Sequence, residues 1–341
     1  MTKLDRIAVV QTAFIGDVLL TLPMMRALRA ECPNAELTLV TTPAGAEIAK
    51  GVSWIDHVAV FDKRGEHRST AAMRGFAAGL RPVDALLVPH KSFRTLRLVR
   101  MINAPCVITY DDAWTKWGAT VRVPYPAPLH DADRHLELLR GLLPTATWTK
   151  EQCVPMVLST EDDRVQALLH VRDLGPFVVV APGTAWPTKQ WPTIRMQEVA
   201  TMIVNAGRRV VVLGDRSVRG CIQGPGIVDL CGRTTLRESA AIIAMATSIV
   251  CNDSAPLHLA SLQSVPVVAV FGPTTTDFGF GPFGSRNAVV EQDLPCRPCS
   301  PHGTAACPLG THACMTGIDA DRVMREIEHL HHSVPASPFT S

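Results

Sequence analysis

Three apolar runs rich in β-branched residues each stop abruptly at a turn of small or polar residues. They are residues 7–11, running into Thr12, Ala13 and Gly16; residues 177–181, running into Pro182, Gly183 and Thr184; and residues 248–251, running into Asn252, Asp253 and Ser254. A strand apolar at every position needs cover on both faces, and parallel sheets layered with helices provide it. The same alternation continues along the chain. In the first half, strand patterns at 7–11, 36–41, 57–61, 84–89 and 106–109 alternate with helical patterns at 17–31, 43–50, 69–80, 93–102 and 132–143. In the second half, strands at 177–181, 209–213, 227–230, 248–251 and 267–271 alternate with helices at 193–206, 236–246 and 256–263, and a last helix covers 319–331. The pattern predicts an α/β protein with two parallel-sheet, Rossmann-like domains. At 341 residues the chain is long for one core, and Pro144, Thr145, Thr147 and Pro155 break the pattern between the halves. The expected domains are 1–150 and 151–332, with a frayed Ser/Pro tail at 333–341.

In open α/β sheets, ligands bind beyond the carboxyl ends of the strands, so the turns carry the chemistry. After residues 248–251, Asp253 and Ser254 are good cap residues, and Pro256 suits a first helical turn. The helix start spanning Ser254, Ala255, Pro256 and Leu257 would offer amides and a positive dipole end to an anion. After residues 177–181, Gly183 and Thr184 allow close approach to the backbone, and Lys189 stands between two Trp-Pro pairs. Lys189 is the only lysine between residues 151 and 341, against thirteen arginines, and suits phosphate as a flexible point charge. After residues 7–11, Asp17 reads either as a helix cap or as a base facing a cleft. A dinucleotide G-x-G-x-x-G fingerprint is absent there, which weakens a dehydrogenase reading.

Together these segments resemble glycosyltransferase family 9, the ADP-heptose:lipopolysaccharide heptosyltransferases. The matching pieces are Ile15-Gly16-Asp17-Val18, the run from Pro182 to Pro192, Asn252-Asp253-Ser254 with Pro256 and His258, and Val270-Phe271-Gly272-Pro273-Thr274. The tryptophan-proline-lysine run is most similar to the heptosyltransferase II branch. The resemblance implies a GT-B fold, with an N-terminal acceptor-binding domain and a C-terminal nucleotide-sugar domain facing a central cleft. It implies inverting transfer of heptose from ADP-heptose to the lipopolysaccharide inner core. Asp17 is then the base, while Lys189, Thr184 and the helix start at Ser254–Leu257 hold the diphosphate. Asp253 bonds diphosphate or heptose hydroxyls, and His258 either contacts phosphate or braces the helix. Asp215 falls where the ribose would bind. The family often has Gly in place of Ala255, whose methyl group crowds a phosphate at the helix start. Lysine and helix dipole take the place of a divalent metal, so catalysis is expected to need no cofactor. Two rival readings remain open: a GT-B enzyme using another nucleotide-sugar, and a non-catalytic nucleotide- or glycan-binding protein.

Charge is uneven. Residues 1–150 carry 19 Lys and Arg against 14 Asp and Glu, a balance of +5, and residues 151–341 carry 14 against 17, a balance of −3. A basic first half suits an acidic glycan at an anionic membrane surface, and no nucleic-acid-binding module is recognisable. Among its basic residues, Lys91 and Arg94 follow the strand at 84–89 and are the expected clamp for acceptor phosphates or carboxylates. Lys63, Arg64, His67, Arg68, Arg97 and Arg100 read as a solvated face. No apolar run reaches membrane-span length, and the N-terminus shows no secretory pattern. The expectation is a cytoplasmic protein with room for peripheral contact at the inner face of the cytoplasmic membrane.

Ten cysteines in such a chain argue for thiols or metal rather than a disulfide framework. Cys296, Cys299, Cys307 and Cys314 form C-x2-C-x7-C-x6-C, a spacing open to a structural zinc, to free thiols or to labile disulfides.

Overall fold

The computed structural model describes residues 4–80, 82–284 and 286–332, and the chain divides into two compact units, Met1–Leu158 and Ser159–Ser341. The tail expected at 333–341 lies outside the described residues.

The first unit holds a six-stranded parallel sheet of β1 (Arg6–Gln11), β2 (Glu36–Thr41), β3 (His57–Val60), β4 (Ala85–Val88), β5 (Cys106–Tyr110) and β6 (Val121–Val123), in the order β3-β2-β1-β4-β5-β6. The second repeats the plan with β7 (Phe177–Ala181), β8 (Arg209–Val212), β9 (Ile227–Asp229), β10 (Ser248–Asn252), β11 (Val267–Phe271) and β12 (Asn287–Glu291), in the order β12-β11-β10-β7-β8-β9. Strands β4, β7, β10 and β11 are buried at every position, which explains the unbroken apolar sequences of β4, β7 and β11 and the apolar centre of β10 between Ser248 and Asn252. The edge strands β6 and β12 are only partly buried. Their sequences, VRV and NAVVE, lack such a run, and the sequence reading missed both.

Each sheet reverses its winding beside its first strand, between β1 and β4 in one unit and between β7 and β10 in the other. In α/β sheets such reversals open a crevice at the carboxyl edge. All three turns singled out by sequence end at these two places.

Helix Ile15–Glu31 begins two residues before Asp17 and buries Val18, Leu19, Leu20, Leu22, Met24, Met25 and Leu28. It packs against helix Asp131–Arg140, which explains its apolar character on nearly every side. Helix Glu161–Val171 was not expected from the sequence, although its cap was legible. Thr160 accepts from the Asp163 amide at 3.2 Å, and the Asp163 carboxylate accepts from the Thr160 amide at 2.9 Å. This reciprocal pairing is the S/T-x-x-acid capping box. Among the described residues, no helix is long and apolar enough to cross a membrane.

Candidate active site

In the second unit, β7 and β10 pair in register, with Ala181 opposite Cys251, so their carboxyl ends lie side by side. Fully buried Asn252 ties the two exits together. Its amide donates to the Pro182 carbonyl at 2.8 Å, and its side-chain carbonyl accepts from the Trp191 amide at 3.0 Å. Trp191 is itself buried and donates through its indole to the Ile318 carbonyl at 3.1 Å. These bonds fix both ends of the segment that carries Lys189.

Lys189 Nζ lies 2.6 Å from Asp253 Oδ2, and both side chains are nearly buried, at 12% and 5% exposure. The same carboxylate oxygen accepts from the Thr274 hydroxyl at 2.7 Å. A buried carboxylate needs such partners to offset its desolvation. The ammonium can make further bonds, since Asp253 occupies only part of its donor capacity. Ser254 stands at the cap of helix Ala255–Leu262, but its hydroxyl turns back to the Asn252 carbonyl at 3.3 Å. The capping bond expected of Ser254 is therefore not made, because the hydroxyl closes the strand exit instead. Asp253 likewise serves Lys189 and Thr274. A Cβ added at Gly183 would meet only Val218 methyl groups, at 3.8 and 3.9 Å. The protein's own packing does not demand glycine there, so space remains beside that backbone.

The cysteine-bearing segment braces the lysine turn. Thr188 Oγ1 donates to the Thr304 carbonyl at 2.8 Å and accepts from the Thr304 amide at 2.8 Å. His312 Nε2 lies 2.7 Å from the Thr188 carbonyl. A Cβ at Gly303 would press within 2.9 Å of Trp186 and 3.1 Å of Lys189, and its φ of +88° also favours glycine.

In the first unit, Asp17 is the third residue of its helix, and its carboxylate accepts from the Phe14 amide at 3.1 Å. It therefore braces the helix start from within rather than standing at the cap. Beside it, Lys63 Nζ donates to the Thr12 carbonyl at 2.5 Å. Desolvation pulls the Lys63 pKa down, nearby Arg64 and Arg94 add to this, and Asp17 opposes them. His90, just past β4, has Nδ1 within 2.8 Å of the hydroxyls of both Thr12 and Thr95. Desolvation, then the Lys63 charge, push its imidazole down to about 4.

His90 is thus neutral in the folded protein at ordinary pH. Between pH 6.5 and 4 the unfolded chain takes up a proton that the folded chain refuses, so stability falls as pH falls through that window. That displacement corresponds to roughly 3 kcal/mol. Denaturant unfolding across this range should show a steeper pH dependence in the native protein than in His90→Gln. Parallel curves would remove His90 as the source.

The family model for glycosyltransferase family 9 (heptosyltransferase) matches residues 73–308. The chain belongs to glycosyltransferase family 9. It is 34% identical over 105 residues to lipooligosaccharide heptosyltransferase 2 of Campylobacter jejuni, covering 30% of this chain and 32% of that protein. The chain thus spans about a third of that relative's length. It is 27% identical over 315 residues to lipopolysaccharide heptosyltransferase 1 of Pseudomonas aeruginosa, covering 86% of each. A family 9 glycosyltransferase structure from Veillonella parvula shares the fold over 98% of this chain and 99% of its own, at TM-score 0.83 and 22% identity. An E. coli heptosyltransferase solved with ADP-2-deoxy-2-fluoro heptose does so over 95% and 99%, at TM-score 0.70 and 19% identity. The two six-stranded parallel sheets carry the α/β GT-B fold of these family 9 structures.

In this family 9 chain, Gly183, Thr184 and Lys189 stand on the turn after β7, and Asp253 through His258 follow β10. Asp215 lies in the turn after β8, is exposed, and caps it by accepting from the Ser217 amide at 2.7 Å. The Ser217 hydroxyl, and then that amide bond, hold its carboxyl below the usual range. His258 is buried within its helix. Lys91 is engaged by other partners: its ammonium bonds Asp112 at 2.7 Å and sits over the Tyr125 ring. Arg94 donates to the His67 and Arg68 carbonyls at 3.2 Å, close enough to Lys63 to depress its pKa. Lys63, read as part of a solvated face, is instead the lysine beside Asp17. Asn252, Thr274, Thr304 and His312 were not singled out for the site, since each acts on a partner distant in sequence.

Proposed function

We propose that this chain transfers heptose from ADP-heptose to a lipopolysaccharide inner-core acceptor, with inversion at the anomeric carbon. The observation that carries the reading is the Lys189–Asp253 pair, placed at the winding reversal of the second sheet beside an uncapped helix start. Support also comes from the E. coli family member solved with an ADP-heptose analogue. In this reading Asp17 accepts the proton of the acceptor hydroxyl. The hydroxyl oxygen forms a bond to the anomeric carbon as the bond to the diphosphate oxygen breaks, and ADP carries off the electron pair. Lys189 and the amides of Ala255 and the residues after it meet that growing negative charge. Thr184 and Gly183 hold the diphosphate backbone, and Asp253 takes heptose hydroxyls on its remaining lone pairs. Asp215 bonds the ribose with the lone pairs Ser217 leaves free. Arg94, joined by Lys63, attracts acceptor phosphate or carboxylate, whereas Lys91 takes part only by leaving Asp112. Incubation with ADP-heptose and truncated lipopolysaccharide acceptors, followed by mass analysis, should show addition of one heptose. Transfer from UDP- or GDP-sugars instead would favour the other-donor reading. Tight nucleotide binding with no turnover on any acceptor would favour a binding protein.

The reading requires no catalytic metal, because lysine and helix dipole neutralise the leaving group. The four-cysteine segment is a separate matter. Among the described residues, no three His, Cys, Asp or Glu side chains form a ready metal cluster. The four thiols nonetheless lie within electrostatic range, since burial and then the charges of Cys299, Cys307 and Cys296 raise the Cys314 pKa, with Arg297 opposing. The amides of His312, Leu309, Gly310 and Thr311 face the Cys307 sulfur and lower its pKa. Such amide-bonded sulfur suits a thiolate ligand, and the four cysteines would hold a structural zinc once drawn together. Protein purified without added metal should carry about one zinc per chain, and EDTA should not abolish turnover while the fold persists. No zinc with four titratable thiols would remove the site, and activity lost to EDTA and restored by magnesium would overturn the lysine-and-dipole account.

A further inference from the structure

Besides Phe14 at the cap of helix Ile15–Glu31, three large aromatic side chains described in the first unit are more than half exposed: Phe93 at 57%, Trp114 at 59% and Trp117 at 61%. They form one ridge. Phe93 opens helix Phe93–Ile102, and its ring meets Trp114 edge-on, with centroids 5.8 Å apart and planes at 84°. Trp114 and Trp117 are three residues apart in the 3-10 turn Trp114–Gly118, where side chains at that spacing share a face. The turn is held to the helix by Arg100, which donates to the Trp117 carbonyl at 3.1 Å. Gly118 allows the close contact, since a Cβ there would lie 3.3 Å from Leu96 and 3.4 Å from Arg100.

The ridge is flanked by positive charge. Arg97 and Arg100 are exposed on the same helix, and Lys116 lies over the Trp117 ring. Residues 85–110 contain four Lys or Arg and no Asp or Glu, while the nearby Asp112 is paired with Lys91. Indole has an apolar body and a polar N–H, and favours the boundary between hydrocarbon and water. Cations beside such rings add attraction to anionic headgroups. A second copy docking through this ridge would bring Arg97, Arg100 and Lys116 against their own like charges, which disfavours self-association.

We infer that the Phe93–Trp114–Trp117 ridge, with Arg97, Arg100 and Lys116, is a docking surface for an anionic lipid bilayer. The inference rests on the proposed function only in that a lipid-anchored acceptor gives the protein reason to meet a membrane. None of these six residues has a role in the chemistry proposed above.

The test uses the full chain with two kinds of vesicle, phosphatidylcholine alone and phosphatidylcholine with about a third phosphatidylglycerol, without donor or acceptor. Binding to the anionic vesicles should be about tenfold stronger or more, and should weaken as salt rises from about 0.05 to 0.5 M. Tryptophan emission should shift to the blue on binding. Trp114→Ala/Trp117→Ala and Arg97→Gln/Lys116→Gln should each lose about tenfold in partitioning, with unchanged thermal melting. Transfer to a soluble, delipidated acceptor should be unaffected in both, so the two readings fail separately. Equal binding to both vesicles, binding to neither, or full binding by the tryptophan variant would overturn the inference. So would a native dimer that the tryptophan variant converts to monomer while its vesicle binding stays intact.

Discussion

Asp17→Asn should lower kcat by about a hundredfold or more while leaving ADP-heptose binding nearly unchanged. The structure makes this substitution a clean probe. Asp17 also accepts from the Phe14 amide, and the asparagine carbonyl can keep that bond, so the helix start survives while the proton acceptor is lost. Steady-state kinetics with calorimetric donor titration provide the check. Near-normal turnover would leave Asp17 as a brace of its helix and nothing more.

Lys189→Ala should cost about 2–4 kcal/mol in kcat/KM and weaken donor binding as well, because the ammonium meets the diphosphate both before and during bond breaking. It should also destabilise the fold. Asp253 is 5% exposed and would keep only Thr274 among the two partners described here, and stripping a buried carboxylate of its cation costs about 3–5 kcal/mol. The double variant Lys189→Ala/Asp253→Asn removes the stranded charge along with the lysine. Its stability should return toward that of the native protein, whereas donor affinity should stay low. Recovery of both together would mean that the lysine acts only by holding Asp253. Unchanged affinity and turnover in the single variant would leave Lys189 without a part in donor chemistry.

The sequence made the sheets legible because a doubly covered parallel strand is apolar along its length, as β7 and β11 are. What it hid had specific causes. Strands β6 and β12 lie at sheet edges, as β3 and β9 do, but an arginine at the centre of β6 and polar residues at both ends of β12 leave them no unbroken apolar run. The turns after β1, β7 and β10 could be placed because strand and helix patterns meet there, and this picked out Asp17, Lys189 and Asp253. The sequence could not place Lys63 beside Thr12, because loop shape decides which basic residue turns inward. Asp62 accepts from the Arg64 and Gly65 amides at 3.1 and 2.9 Å, curling its loop so that Lys63 reaches Thr12. Lys91, which follows a strand as a site residue should, is drawn to Asp112 and Tyr125 instead. The ion pair between Lys189 and Asp253 joins residues 64 apart, and Thr188 and Thr304 are 116 apart, beyond any local pattern.

The bracing of Thr188 by Thr304 and His312 means that Lys189 and the thiols belong to one mechanical unit. Cys307 and Cys314 flank His312 along the chain, so whatever those sulfurs bind or lose tugs on a backbone that ends at Lys189. Preparations differing only in thiol state should therefore differ in apparent nucleotide affinity, with no change in any residue that contacts nucleotide. A donor constant measured on this protein should therefore be quoted together with the thiol state of the sample.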